Sequence, residues 1–82
     1  MKFVWDHINQ AEVAAHDVAP TTAESVFYAD DFRYLPDPDR LNRFTAEGTV
    51  AGQLFRVPFS KTFPDGIRIT TAFPISRTRR RT

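Results

Sequence analysis

The chain contains no cysteine among its 82 residues. Disulfide bonds and thiolate metal sites are therefore excluded, and the sequence is compatible with a reducing cytoplasm. Long apolar runs are also absent. The opening residues 1–6 are too short and too polar for a signal peptide, and no stretch of the sequence reaches the length of a membrane helix. We therefore expect a cytoplasmic protein with no membrane partner.

Internal repeats, low-complexity linkers and a second hydrophobic core are absent as well. With 82 residues, of which 41% are hydrophobic, the chain is expected to form a single domain over residues 1–82. Since a domain of this size buries a modest core, we expect a free energy of unfolding of roughly 3–5 kcal/mol. Residues 76–82 are predicted to be a basic tail that frays in isolation.

The chain as a whole carries little net charge, but its two halves differ. The formal net charge is +1, whereas residues 1–42 hold three Lys and Arg against eight Asp and Glu, and residues 43–82 hold eight against two. The basic half can meet a polyanion, or the two halves can simply attract one another within a small fold. Both explanations stay open at this point.

The strongest structural signal is a hairpin over residues 53–73. The Pro-Asp-Gly turn at 64–66 lies between two stretches in which apolar and polar residues alternate. Because the side chains of a strand point alternately to two faces, one face of the hairpin is apolar and the other carries Arg56 and Arg68. Pro58, which cannot donate a backbone hydrogen bond, predicts a bulge or an edge in the first strand.

The rest of the chain predicts two helices and further strands. A short strand over residues 2–5 is followed by a helix that begins after Asp6 and ends near His16, and Pro20 begins a second helix. Additional strands are expected at residues 32–35 and 43–48. The fold class is predicted as α+β, with two N-terminal helices packed on one face of a largely antiparallel sheet of four to five strands.

The hydrophobic spacing predicts which side chains form the core. In the first helix the apolar positions at helical spacing are Ile8, Ala11, Ala15 and Val18, and Asn9 falls on the solvent side. The hairpin is expected to pack its apolar face against the helices, through Phe55, Val57, Phe59, Ile67 and Ile69 on the strands and Ala11, Val26 and Phe27 on the helices.

The opposite face of the hairpin is the candidate surface for binding and cleaving a phosphodiester. A guanidinium group forks onto phosphate oxygens while keeping its charge, so Arg43, Arg56 and Arg68 are candidates to bind a reacting phosphate. Glu47 is expected on the same face and is the candidate general base, whereas the general acid has no clear owner. Further candidate RNA contacts are Lys61, Arg77, Arg79, Arg80 and Arg81.

A purely structural interpretation of these residues stays open. Glu47 would then pair with Arg56 or Arg68 across the strands, as charged residues commonly do in β-sheets. The aromatic residues are predicted to be mainly core, and only Tyr34 or Phe73, if exposed, would stack on a base.

Metal ions and cofactors are not expected. His7 and His16 both lie outside the strand region, and no set of aspartates has the spacing of a calcium loop. Asp37 and Asp39, which flank Pro38, are better explained as turn residues.

Five stretches carry a resemblance that covers nearly the whole chain in order: Phe3-Val4-Trp5-Asp6, His16 with Val18, Ala23 with Val26-Phe27, Arg43 to Gly48, and Arg68-Ile69-Thr70-Thr71-Ala72. They resemble the BrnT-type toxins of bacterial toxin–antitoxin systems. The resemblance implies a RelE-like fold and metal-free cleavage of RNA, either free or on the ribosome. It also implies inhibition by an antitoxin, expected to be of the ribbon-helix-helix type, that binds operator DNA.

The chain departs from these toxins at three positions. Asn9 replaces a usual lysine, Asp17 a usual glycine, and Phe73 a common arginine. Because phenylalanine neither binds phosphate nor transfers a proton, two alternatives to an active endoribonuclease are considered. One is a catalytically inactive module that binds nucleic acid, and the other is a protein that only binds a partner.

Overall fold

A computed structural model describes residues 1–76, so the tail positions Arg77, Arg79, Arg80 and Arg81 lie outside the described residues. None of the helices in residues 1–76 is long and apolar enough to cross a membrane. The elements are β1 (Lys2–Phe3), α1 (His7–Ala14), α2 (Pro20–Val26), β2 (Arg33–Pro36), β3 (Arg43–Val50), β4 (Gln53–Thr62), β5 (Gly66–Ile69) and β6 (Phe73–Pro74).

The strands form one sheet in the order β1-β5-β4-β3-β2, with β6 paired to β4. The pairs β2–β3, β3–β4, β4–β5 and β4–β6 are antiparallel, whereas β1 and β5 are parallel. This architecture confirms the predicted α+β class with two N-terminal helices and a largely antiparallel sheet. The short β6 was not separated from β5 in the prediction.

The strand that pairs with β4 on this side is interrupted between β5 and β6, and this interruption lies opposite Pro58 of β4. On one side of Pro58, Phe59 pairs with Ile69 of β5, and on the other side Arg56 pairs with Phe73 of β6. The carbonyl of Pro58 accepts a hydrogen bond from the Thr70 N–H at 2.9 Å. Since the N and C=O of a strand residue point to the same neighbour, the missing donor of proline faces the interruption and costs no ladder bond. The predicted bulge is therefore not in β4, which stays paired with β3 through Pro58, and the ladder is interrupted in the neighbouring strand instead.

A two-residue turn joins β3 to β4. Ala51 and Gly52 have φ values of 51° and 81°, and the flanking residues Val50 and Gln53 are paired. Positive φ at both central positions gives the turn a twist that matches the strands. This tight connection fixes the register of β3 against β4 and therefore decides which side chains lie opposite each other on the site described below.

The core lies between the helices and one face of the sheet. Val57, Phe59 and Ile69 are buried against this layer, and Val26 and Phe27 are buried on the helical side. The predicted contributions of these five residues are confirmed. Phe55 and Ile67 belong to the partly buried hydrophobic residues that pack against the margin of the core.

The packing face of α1 was predicted incorrectly. Ile8 is 59% exposed, and Ala11 and Ala15 are also exposed, whereas Asn9 and Val13 are fully buried. The reason is local, because the Asp6 side chain caps the helix by accepting from the Ile8 and Asn9 N–H groups. This cap sets the rotation of the helix so that its second turn presents Val13 to the core.

Asn9 connects the start of α1 to two strands. Its side-chain oxygen accepts from the Asp6 N–H at 2.8 Å, and its Nδ2 donates to the carbonyls of Val4 and Ile69, both at 2.9 Å. The amide is therefore fully buried without an energetic penalty for lost hydration. A polar residue assigned to solvent is thus the tie between β1, α1 and β5.

Candidate functional site

The face of the sheet opposite the helices is called the open face here, and it is defined by Arg33, Thr45, Glu47, Arg56 and Arg68. These side chains alternate along their strands with the core residues, as the pleat of a strand requires. The prediction that Arg56 and Arg68 share the face away from the helices agrees with this register. The charged residues of the open face are exposed or partly exposed.

Three charged side chains form a row across β2, β3 and β4. Arg33 lies directly opposite Glu47, and Glu47 lies directly opposite Arg56. One carboxylate oxygen of Glu47 accepts from Nη2 of Arg33 at 3.0 Å. The other accepts from Nε of Arg56 at 2.9 Å and lies 2.8 Å from its Nη2. We call this arrangement the Arg-Glu-Arg row.

The arginines of the row remain accessible while the glutamate does not. The side chains of Arg33 and Arg56 are 74% and 45% exposed, whereas that of Glu47 is 16% exposed. Glu47 contacts only Nη2 of Arg33 and only Nε and Nη2 of Arg56, so within residues 1–76 the Nη1 group of each arginine has no protein acceptor. Two oriented guanidinium groups thus present unused donors to solvent.

The ionisation of Glu47 follows from these contacts. Partial burial alone would raise the pKa of Glu47, but the hydrogen bonds from Arg33 and Arg56 outweigh it and hold this pKa below its usual value. A carboxylate with a lowered pKa is a weak proton acceptor. The geometry therefore favours Glu47 as the group that holds the two arginines in place. This is the purely structural ion pair of Glu47 with Arg56, and Arg33 is its second partner.

Arg68 is engaged elsewhere on the open face. Its Nη2 donates to Oδ2 of Asp6 at 2.8 Å. The hydrogen bond from the Asn9 backbone, followed by that from Arg68, lowers the pKa of Asp6. Arg68 thus supports the N-terminal cap of α1, and the structure does not bring it into the Arg-Glu-Arg row.

Two other predicted RNA contacts lie at different places. Arg43 is exposed and lies opposite Ser60, which in turn lies opposite Arg68, so these residues form a second row on the open face. Lys61 lies on the other face of the sheet, where its ammonium is 4.8 Å from the centre of the Phe44 ring. The predicted arginines of the tail lie outside residues 1–76.

Arg33 is the member of the row that the sequence reasoning missed. Residues 32–35 were predicted to form a strand, but no partner strand was assigned to them. Had β2 been paired with β3 in the antiparallel register, strand alternation would have placed Arg33 beside Glu47.

A depression lies beside the Arg-Glu-Arg row. It has a volume of about 390 Å³ and is lined by the β2–β3 connection at residues 35–38 together with Thr45, Glu47 and Arg56. The depression is open to solvent, so an extended chain can lie in it without rearrangement. Within residues 1–76, no group of three or more His, Asp or Glu side chains is placed to hold a metal ion.

No family model and no curated protein matches the chain. Among solved structures, it is similar to the crystal structure of the ribonuclease toxin BrnT from Brucella abortus. The two structures superpose with a TM-score of 0.72 over 94% of this chain and 99% of that chain, at 20% sequence identity. The chain has the BrnT-type fold. The similarity therefore confirms a BrnT-type fold, as the resemblance in the sequence predicted.

Within this BrnT-type fold, Phe73 lies next to the Arg-Glu-Arg row. It pairs with Arg56 across β4 and β6, and its ring centre is 5.6 Å from that of His16. The position at which an arginine is common in the toxins that the sequence resembles is therefore adjacent to Arg56. Asp17, where those toxins have glycine, has a φ of 60° directly after α1, a conformation that aspartate tolerates better than most residues.

Acidification is expected to remove the stability that Glu47 contributes. Because the pKa of Glu47 is lower in the folded chain than in the unfolded chain, this contribution is complete above the unfolded pKa and is lost as pH falls through the folded pKa. Between about pH 7 and about pH 3, the melting temperature should therefore fall less for Glu47→Gln than for the wild type. Glu12→Gln on α1 is the matched control, and equal losses in all three proteins would contradict the prediction.

Proposed function

We propose that this protein is a toxin-like endoribonuclease that cleaves RNA without a metal ion and is neutralised by an antitoxin. The observation that carries the proposal is the Arg-Glu-Arg row on the open face of a BrnT-type fold. The row combines two accessible cations with a carboxylate that fixes their positions. RNA phosphate is the ligand that such a pair of guanidinium groups fits best.

Cleavage by this route uses the 2′-hydroxyl of the RNA itself. The 2′-oxygen gives its proton to water and attacks the adjacent phosphorus, the bond from phosphorus to the 5′-oxygen breaks, and that oxygen takes up a proton from water. The products end in a 2′,3′-cyclic phosphate and a 5′-hydroxyl. Because the pentacoordinate intermediate gains negative charge, preorganised cations beside it stabilise the transition state.

Arg33 and Arg56 supply those cations in our proposal. Glu47 keeps both guanidinium groups in place before the RNA arrives, so little ordering remains to be done when the phosphate binds. The depression beside the row receives the neighbouring nucleotide. Arg43 and Arg68 contact flanking phosphates, and Arg68 does so while it remains bound to Asp6.

The partner that we propose covers the same surface. An antitoxin whose acidic residues meet Arg33 and Arg56 would mask the phosphate site and supply charge complementarity at once. We propose a ribbon-helix-helix antitoxin and an RNA substrate that is either free or on the ribosome. The exposed arginines of the open face support this proposal, because residues 1–76 leave this basic surface accessible.

The proposal is tested by incubating purified protein with RNA in the presence and absence of EDTA. Cleavage should continue in EDTA, and the products should carry 2′,3′-cyclic phosphate ends. Addition of the protein encoded by the adjacent reading frame should stop the reaction. Absence of cleavage on both free RNA and ribosome-bound message, in preparations free of contaminating nuclease, would reject the proposal.

An inactive RNA-binding module is the second candidate, and Phe73 favours it. In this case the wild type binds RNA but does not cleave it, because the position beside Arg56 lacks a cation. Phe73→Arg would add a guanidinium next to the row. If this variant cleaves RNA and the wild type does not, activity has been lost at this position and the binding function remains.

A further inference from the structure

A second surface with the features of a nucleotide site lies on the helical side of the sheet. It consists of Tyr34, Phe44 and Lys61, and we call it the Tyr34 patch. Tyr34 is 45% exposed, although its ring packs edge-on against Phe44 and Phe59 at centroid distances of 5.8 and 6.1 Å. The ring is therefore held by packed aromatic residues and still presents surface to solvent.

The ammonium group of Lys61 lies over the same patch. Its Nζ is 5.6 Å from the centre of the Tyr34 ring and 4.8 Å from that of Phe44. Asn42 fixes the backbone of Lys61 by accepting from its N–H at 3.2 Å and donating to its carbonyl at 2.7 Å. Among residues 1–76, Lys61 forms no ion pair with a carboxylate.

The Tyr34 patch and the Arg-Glu-Arg row share one strand, β2. Tyr34 follows Arg33 in β2, and alternation along the strand sends the two side chains to opposite faces. In the part of the chain that the structure describes, β2 is an edge of the sheet with β3 as its neighbour. A chain that crosses this edge can therefore touch Arg33 on one face and Tyr34 on the other.

We propose that the Tyr34 patch is a second RNA subsite, in which a base stacks on Tyr34 and Lys61 contacts a neighbouring phosphate. This inference rests on the proposed function, because it continues the same RNA strand around β2 from the Arg-Glu-Arg row. An exposed aromatic ring beside an ammonium that forms no ion pair within residues 1–76 is the combination that single-stranded nucleic acids select. An apolar segment of a protein partner would use the ring but would leave Lys61 uncompensated.

The test measures binding of a fluorescein-labelled 2′-O-methyl oligonucleotide, which cannot be cleaved because its 2′-oxygens are blocked. Fluorescence anisotropy should show roughly 5- to 150-fold weaker binding for Tyr34→Ala, the range for loss of one stacked base. Tyr34→Phe should bind like the wild type because it keeps the ring. Lys61→Gln should weaken binding. It should also reduce the steepness of the plot of log affinity against log salt concentration by about 1, the change expected for loss of one phosphate contact.

Tyr28→Ala is the matched control, because Tyr28 is another exposed tyrosine and its ring lies beside Phe3. Lys61→Gln keeps the test decisive if Tyr34→Ala does not fold. Wild-type affinity in both Tyr34→Ala and Lys61→Gln, with weaker binding in Arg56→Ala, would overturn the second subsite and leave the proposed function intact. Weaker binding in the patch variants without any RNA cleavage by the wild type would reject the nuclease but keep the subsite. Failure of the wild type to bind the probe would overturn the subsite.

Discussion

Replacing Arg56 by alanine is expected to slow RNA cleavage at least tenfold. Arg56 is the more tightly held of the two arginines in the row, because two of its nitrogens contact one oxygen of Glu47. Loss of one preorganised phosphate contact typically costs one to three orders of magnitude in rate. The rate constant should be measured under single-turnover conditions with excess protein, so that product release does not mask the chemical step.

The fold should survive this substitution. Arg56 is exposed at its tip and lies outside the core, so the free energy of unfolding should change by less than about 1 kcal/mol. Lys2→Ala removes one positive charge from β1 and is the control for a general loss of charge. A larger loss of stability, or an equal loss of activity in Lys2→Ala, would contradict a specific role for Arg56.

Glu47→Gln in the same assay separates two roles of the carboxylate. If Glu47 acts as a general base, its replacement should depress the cleavage rate with little effect on RNA binding. If it balances the charge of Arg33 and Arg56, neutralisation should leave RNA binding stronger, because the arginines gain net positive charge. The contacts to two arginines favour the second result.

Replacing Asn9 by alanine is expected to lower the free energy of unfolding by about 2–4 kcal/mol. The substitution removes an acceptor for the Asp6 N–H and donors to the carbonyls of Val4 and Ile69. A fully buried group left without its partner, such as the Ile69 carbonyl, costs about 1–3 kcal/mol, and the Asp6 N–H and the Val4 carbonyl cost less because their bonds are only partly buried. Since a domain of this size has roughly 3–5 kcal/mol in total, the variant should be largely unfolded or held folded only by a partner.

Urea denaturation followed by circular dichroism measures this effect. Gln10→Ala is the matched control, because Gln10 is the next residue on α1 and is exposed. Its free energy of unfolding should stay within about 0.5 kcal/mol of the wild type. Equal stabilities of Asn9→Ala and Gln10→Ala would show that the buried amide bonds do not hold the helix to the sheet.

The different outcomes for Asn9 and for the hairpin show what local sequence can predict. The β4–β5 hairpin was predictable because its alternation and its turn residues lie within a single stretch of the chain. The burial of Asn9 was not, because its partner carbonyl belongs to Ile69, far away in the sequence. A pattern of hydrophobicity assigns asparagine to solvent when its distant acceptor is unknown.

The candidate site was predictable to a similar degree. Placement of Glu47 beside Arg56 follows from strand alternation and the short turn between β3 and β4. Arg33 was missed because its position beside Glu47 depends on the pairing of β2 with β3, and the order of strands in the sheet decides that pairing. The pair of Arg68 with Asp6 depends on the parallel contact of β1 with β5, which no turn sequence encodes.

This parallel contact also governs when the protein can fold during its own synthesis. The first strand pairs with one of the last, since Phe3 lies beside Ile67, and the amide of Asn9 awaits the carbonyl of Ile69. As the chain leaves the ribosome, β1 therefore has no partner strand, and Asn9 lacks one of its acceptors, until residue 69 has emerged. A nascent or truncated chain that ends before β5 contains every residue of the Arg-Glu-Arg row, but it lacks Arg68 and the strand that holds β1 in the sheet.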